Sequence, residues 1–156
     1  MSRSGADLAL LLLGSYRSMV NAATSELASR GYKDFKPIHE FALRAIVAGA
    51  DSASDLGRRT SVSKQAAAKT IAVLVERGFV VSAPDPNDAR RKRLQVTGAG
   101  LEVMSQGEAI LENLREKWKK QIGSTELASL EARLTALVGD AAIRIDAPGW
   151  VAQDSG

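Results

Sequence analysis

The sequence predicts a mainly α-helical chain with one small β-hairpin near its middle. Three observations carry this expectation. Ala and Leu dominate and aromatics make up only 4% of the 156 residues, so the core should be helix packed on helix. Apolar residues recur at spacings of three and four along most of the chain. Between two such stretches lies the turn Asp85-Pro86-Asn87-Asp88, with short β-like runs, Phe79 to Ala83 and Leu94 to Thr97, on either side. The length suits about one domain, able to bury roughly two-thirds of its unfolded surface. A content of 45% hydrophobic and 25% charged residues is ordinary for a soluble globular protein.

The elements follow in order. A first helix, about Ala6 to Arg30, carries the stripe Leu8, Leu12, Tyr16, Met19, Ala23 and Leu27, and Gly31 stops it. A second opens at Pro37, a residue suited to the first helical position, and is expected to bury Ile38, Phe41, Ala45 and Ile46 before Gly49. A short third helix is capped by Ser52 and turns Leu56 inward. Ser61-Val62 turns the chain, and Ser63 caps a fourth helix, Lys64 to Arg77, by accepting from the Ala66 N–H. That helix is expected to bury Ala67, Ile71, Leu74 and Val75 and to show Lys64, Gln65, Ala68, Lys69 and Ala72. Gly78 ends it and the hairpin follows. Thr97-Gly98-Ala99-Gly100 introduces a long helix with Leu101, Met104, Ile110, Leu111, Leu114 and Trp118. After Gly123-Ser124 a last helix holds Leu127, Leu130, Leu134, Leu137 and Val138, and the tail beyond Asp146, with Pro148-Gly149, looks loosely ordered.

Charge is unevenly spread. The net charge is +3, yet Arg58 to Arg93 contains nine cations and three anions, so the rest of the chain is mildly acidic. Arg90-Arg91-Lys92-Arg93 follows the turn directly. Such a hairpin cannot serve a core; it suits insertion of guanidinium groups into a narrow, negative minor groove. Asp88 repels phosphate and reads as a partner holding a nearby Arg. Just upstream, two helices joined by a tight turn are the arrangement that reads a major groove. The second offers Ser63, Lys64 and Gln65 in its first turn, where Gln pairs with adenine and Lys with guanine. Ala68 and Ala72 permit close approach, and Lys69 reaches a phosphate. Either part alone fits a solvated surface; together they point to duplex DNA. The fold class is therefore a winged helix-turn-helix, residues 37–100, flanked by dimerisation helices at 1–36 and 101–146 and a tail at 147–156. The Leu- and Ala-rich outer helices have little to cover them in one copy, which fits a two-fold homodimer on paired half-sites.

The same residues carry a resemblance. Leu56, Val62 to Ala67, Leu74, Arg77-Gly78-Phe79-Val80, Pro84 to Arg90 and Leu94 to Gly100 resemble the MarR family of dimeric winged helix-turn-helix transcription factors. The match runs from about Ile38 to Gly100. It implies Lys64 to Lys69 in the major groove and Arg90, with Arg91 and Lys92 beside it, at the minor groove. It further implies repression from a pseudo-palindromic operator, and release by a small aromatic or phenolic effector in a cleft between the dimerisation helices and the winged unit. Tyr16, Met19, His39 and Phe41 are the candidates to line that cleft, although Tyr16 and Met19 also read as packing residues and His39 as a surface or half-buried structural residue. Ala66-Ala67-Ala68 stands where many members have a Thr-Val-Thr-like run, which leaves fewer side-chain hydrogen bonds for DNA.

Other classes fail on particulars. The chain has no cysteine and one histidine, so it offers no disulfide, thiol sensor or metal site, and no cofactor is expected. Ser61-Val62-Ser63-Lys64 matches S-x-x-K without its companion motifs, and Gly98-Ala99-Gly100 lacks a dinucleotide loop's third glycine. No enzyme is expected. The Leu8 to Leu13 run is too short for a membrane span or a leader, so the expectation is a cytoplasmic protein. The alternative is a winged-helix module that binds DNA non-specifically or docks a protein partner.

Overall fold

The computed structural model describes residues 4–139 and holds six helices and one hairpin: α1 (Gly5–Ser29), α2 (Pro37–Val47), α3 (Ala53–Thr60), α4 (Lys64–Glu76), β1 (Val80–Asp85), β2 (Asp88–Val96), α5 (Gly98–Ile122) and α6 (Ser124–Val138). The tail expected to be loosely ordered lies outside the described residues, as does the end of the segment 101–146. Side-chain caps set the starts of four helices. Ser4, Ser52, Ser63 and Thr97 each accept the backbone N–H three residues on, which satisfies a donor that the helix cannot. A helix that lacks such a side chain, α2, is capped from within instead: His39 Nδ1 accepts the Lys36 N–H at 3.0 Å.

The core lies where α2, α3, α4 and the hairpin meet the first half of α5. Leu43, Leu56, Leu74, Val80 and Val103 are fully buried there. Phe35, from the α1–α2 connection, stands edge-on to Phe79 at 5.9 Å between centroids, and the Arg77 guanidinium lies 5.3 Å from the Phe79 ring. Two expectations for the helices need correction. Within α2 the buried residues include Ala42 and Leu43, while Ile38 and Phe41 are only half-buried. On α4, Val75 faces water and Ile71 is half-covered. The cause is geometric: α4 packs through Ala67 and Leu74, two turns apart, and Val75 lies about 100° round from Leu74.

Two glycines permit contacts that any side chain would block. A Cβ on Gly57 would meet the Val62 carbonyl oxygen at 2.9 Å, so the α3–α4 turn closes directly over it. A Cβ on Gly100 would stand 2.4 Å from the Phe79 carbonyl oxygen and 2.6 Å from Val96 Cγ1, which seats the first turn of α5 on the base of the hairpin. Between α3 and α4, Ser61 takes the left-handed conformation, φ 54°.

The hairpin is antiparallel, with Val80 opposite Val96 and Ala83 opposite Arg93, and an irregularity at Pro84/Asp85. Its strands reach further than the flanking apolar runs suggest, and the basic residues lie within β2 rather than at the turn. Leu94 also donates its N–H to the Asp51 carbonyl at 3.2 Å, tying β2 to the α2–α3 connection.

Ala23 and Leu27 near the end of α1 join this core, while the first half of α1, the far half of α5, and α6 extend beyond it. Arg30 bonds Gln106 between α1 and α5. Arg115 grips Glu131 through Nε at 3.1 Å and Nη2 at 2.7 Å, joining α5 to α6. Leu8, Leu10, Leu11, Leu12 and Leu13 on α1 are all exposed, as are Leu130, Leu137 and Val138 on α6.

Candidate nucleic-acid interface and the cavity behind it

Ala67 and Leu74 hold α4 against the core, which fixes the face it turns outward. Ser63 spends its Oγ on the Ala66 N–H at 3.1 Å, so it acts first as the cap. Lys64, Gln65, Ala68 and Lys69 are exposed, and i, i+3 and i, i+4 spacing gathers Gln65, Ala68 and Lys69 onto one surface. The structure thus brings together the residues singled out on this helix. Ala68 is the smallest of them and lets the helix axis come close to whatever it meets.

The hairpin supplies the second half. Asp85 Oδ1 accepts the Asn87 N–H at 2.9 Å and Asp88 Oδ1 accepts the Arg90 N–H at 3.0 Å. Asp88 therefore orders the backbone of Arg90 and makes no ion pair among the described residues. Arg90, Arg91 and Lys92 are exposed and Arg93 is half-covered. A strand alternates its side chains, so consecutive cations here are offered to both faces of a thin ribbon rather than to one.

Arg58 and Arg59 belong to the basic segment by sequence but not to its free charge. Both reach Asp55 at 3.2 Å, and Arg59 also bonds the Ala48 carbonyl. Desolvation pushes the Asp55 carboxyl up, and the hydrogen bonds and charge of Arg59, with Arg58, outweigh it and hold it below the ordinary value. The unpaired cations are thereby concentrated on α4 and β2.

Behind the winged unit, between α1, α2 and α5, is an almost wholly apolar cavity of about 240 Å³. Tyr16, Met19 and Phe41 line it together, and Phe35, Lys36, Glu40 and Gly107 are also on the wall. His39 is not on the wall. It is buried, 5.8 Å from the Phe35 ring, and its Nδ1 is occupied as the α2 cap. Burial is the main cause that lowers its pKa, with the charges of Arg77 and Lys36 adding to it and a backbone hydrogen bond with Asp34 opposing. The imidazole is accordingly neutral at pH 7. Trp118 lies in a separate groove with Met19, Leu127 and Leu134.

Glu40 is the wall residue that sequence reasoning missed. Its Oε1 accepts from Arg44 Nε at 2.7 Å, and Arg44 Nη2 reaches Glu108 at 2.9 Å. Its Oε2 is buried with no hydrogen-bond partner among the described residues. Desolvation raises its pKa, partly offset by Arg44. The i, i+4 spacing of Glu40 and Arg44 was visible in the sequence; the contact with Glu108 was not. Among the described residues no helix is long and apolar enough to cross a membrane, and no cluster of three or more His, Asp or Glu could hold a metal ion.

Residues 33–91 match the model of the MarR family. Among solved structures, E. coli MarR in its reduced form is 22% identical, with a TM-score of 0.68, covering 84% of this chain and 96% of that one. A glycine-to-lysine variant of S. aureus MepR is 15% identical with a TM-score of 0.70, covering 90% of this chain and all of that one. A phenylalanine-to-leucine variant of S. aureus MepR, bound to an oligodeoxyribonucleotide, is 16% identical with a TM-score of 0.61, covering 86% of this chain and 98% of that one. At these identities the likeness is one of fold. No curated protein matches the chain by sequence.

Proposed function

We propose, from the match of residues 33–91 to the MarR family model and the likeness of the whole fold to MarR structures, that the protein is a DNA-binding transcriptional regulator, a repressor released from its operator by a small aromatic or phenolic effector. The observation that carries the reading is the pairing of an exposed α4 face with a hairpin of unpaired cations on the same winged unit. Gln65 and Lys64 read base edges in the major groove, while Ser63 and Lys69 contact the backbone. Arg90 enters the minor groove, with Arg91 and Lys92 on phosphate. A MepR relative with this fold binds an oligodeoxyribonucleotide, which supports the reading.

The protein works as a homodimer in the cytoplasm, without catalysis or cofactor. Leucines of α1 and α6 stand exposed in a single copy, and a second copy covers them by two-fold symmetry. The 1–36 and 101–146 segments are then dimerisation helices around the 37–100 reading unit. The cavity lined by Tyr16, Met19 and Phe41 is the effector site, and His39 shapes it from behind through Phe35.

The test is recovery of fragments from host genomic DNA by the purified protein at about 0.15 M salt. A few sites sharing an inverted repeat are expected. Uniform recovery would overturn sequence-specific regulation and favour an architectural role.

A further inference from the structure

The cavity behind the winged unit holds one feature that an apolar packing defect would not. Glu40 turns a carboxylate oxygen into a buried position and leaves it without a partner, at a cost comparable to a lost hydrogen bond to a charged group. The charges around it do not cancel. Glu40 and Glu108 share the single guanidinium of Arg44, so the triad carries a net negative charge. Lys36, the other charged residue of the wall, makes no ion pair with Glu40. Gly107 stands opposite, and even a Cβ there would come only to 3.8 Å from Glu40 Oε2. Glu40 and Gly107 both line the cavity, so the orphaned oxygen lies at its wall, shielded from water. The rings of Tyr16, Phe35 and Phe41 and the side chain of Met19 make up much of the remaining, almost wholly apolar wall.

An apolar cavity of about 150 Å³ is enough to hold benzene, so 240 Å³ takes a substituted ring or two fused rings with a short polar arm. We propose that this cavity binds a small aromatic molecule bearing a protonated amine, and that Glu40 selects for the cationic group. The ammonium donates to Oε2, balances the second carboxylate of the triad, and leaves the ring against the aromatic wall, where its charge also faces the π-systems. Anionic aromatics of the same shape are disfavoured because they would bring a third negative charge to the triad. The raised pKa of Glu40 has the same origin, since burial deprives the ionised carboxyl of the neighbour a bound cation provides.

The inference rests on the cavity being the effector site, and the two separate experimentally. Binding of 2-naphthylmethylamine, 2-naphthylmethanol and 2-naphthoate to the full chain is measured by titration calorimetry without DNA, and operator release is measured independently. The amine is expected to bind about tenfold or more tighter than the naphthoate, the scale of one charge-assisted hydrogen bond. In Glu40→Gln, which keeps the shape and removes the charge, the preference should fall to about threefold or less. Gly107→Ala adds a methyl 3.8 Å from Oε2 that crowds the donor's approach, and should weaken the preference even if the first variant folds poorly. No binding by any of the three, tighter binding of the naphthoate, or an amine preference that survives both substitutions overturns the proposal. Amine binding without operator release would uphold it while refuting effector control.

Discussion

Replacing Arg91 by Ala should change the salt dependence of DNA binding more informatively than the affinity itself. Six cations per subunit, Lys64, Lys69 and Arg90 to Arg93, lie on α4 and β2 outside any ion pair among the described residues. With Lys64 on a base edge and Arg90 in the minor groove, the other four lie on phosphates, so the proposed dimer makes about eight contacts, and at about −0.9 per contact the log–log slope of affinity against salt is about −7. Arg91 contributes one contact per subunit, so Arg91→Ala should make the slope shallower by about 1.8. Over a fourfold rise in salt, from about 0.05 to 0.2 M, the ratio of wild-type to variant affinity should then shrink about tenfold. Fluorescence anisotropy on a labelled operator and on a random duplex gives both slopes. The change should be the same on the two duplexes, because a phosphate contact carries no sequence information. A parallel line for Arg91→Ala, with Lys92→Ala parallel as well, would refute the placement of β2 against the backbone.

Gln65→Ala should relax base preference at one position of each half-site by about 1–3 kcal/mol, and an unchanged preferred sequence in a selection experiment would remove that residue from the base edge. Gly100→Ala should lower stability by about 1–3 kcal/mol through overpacking, because its methyl would run into the Phe79 carbonyl; an unchanged urea midpoint would show that the joint has slack. His39 titrates near 6.5 in the unfolded chain and lower when folded, so its contribution is present above that pH and lost as pH falls through the lowered value. In His39→Gln, whose side chain still caps α2 without titrating, the melting temperature should fall less than in wild type between about pH 7 and 5; parallel curves would show that His39 carries no such linkage.

What could be read from the sequence depended on how local its cause was. Ser52, Ser63 and Thr97 declare helix starts within four residues, and each behaves so. Gly78 ends α4 with φ +78°, again a local property. The strands were underestimated because hairpin pairing is a backbone event. It needs no burial, so Lys92 and Arg93 pair as well as valines do, and hydrophobic alternation cannot register them. Phe35 lies in a connection with no period to reveal it, yet it is among the most buried residues. Val75 shows the converse, an apolar residue whose exposure depends on which helix arrives opposite. Tyr16, Met19 and Phe41 could be named as wall candidates from resemblance, but the surroundings of Glu40, whose Oε2 is buried without a partner among the described residues, depend on Gly107 and Glu108 on a helix some seventy residues away.

The contact at Gly100 gives α5 the character of a crank. At 25 residues it is about 37 Å long, rooted at one end on the base of the hairpin and at the other among α1 and α6. With no room between its first turn and the Phe79 carbonyl, an angular change at one end reaches the other undiminished. A swing of about 5° over that length displaces the far end by about 3 Å, close to the rise of one base step. In the proposed dimer, two reading heads mounted on such cranks would be set to a groove spacing by an angle of a few degrees, and a molecule in the cavity between α1, α2 and α5 would act on the arm of the crank.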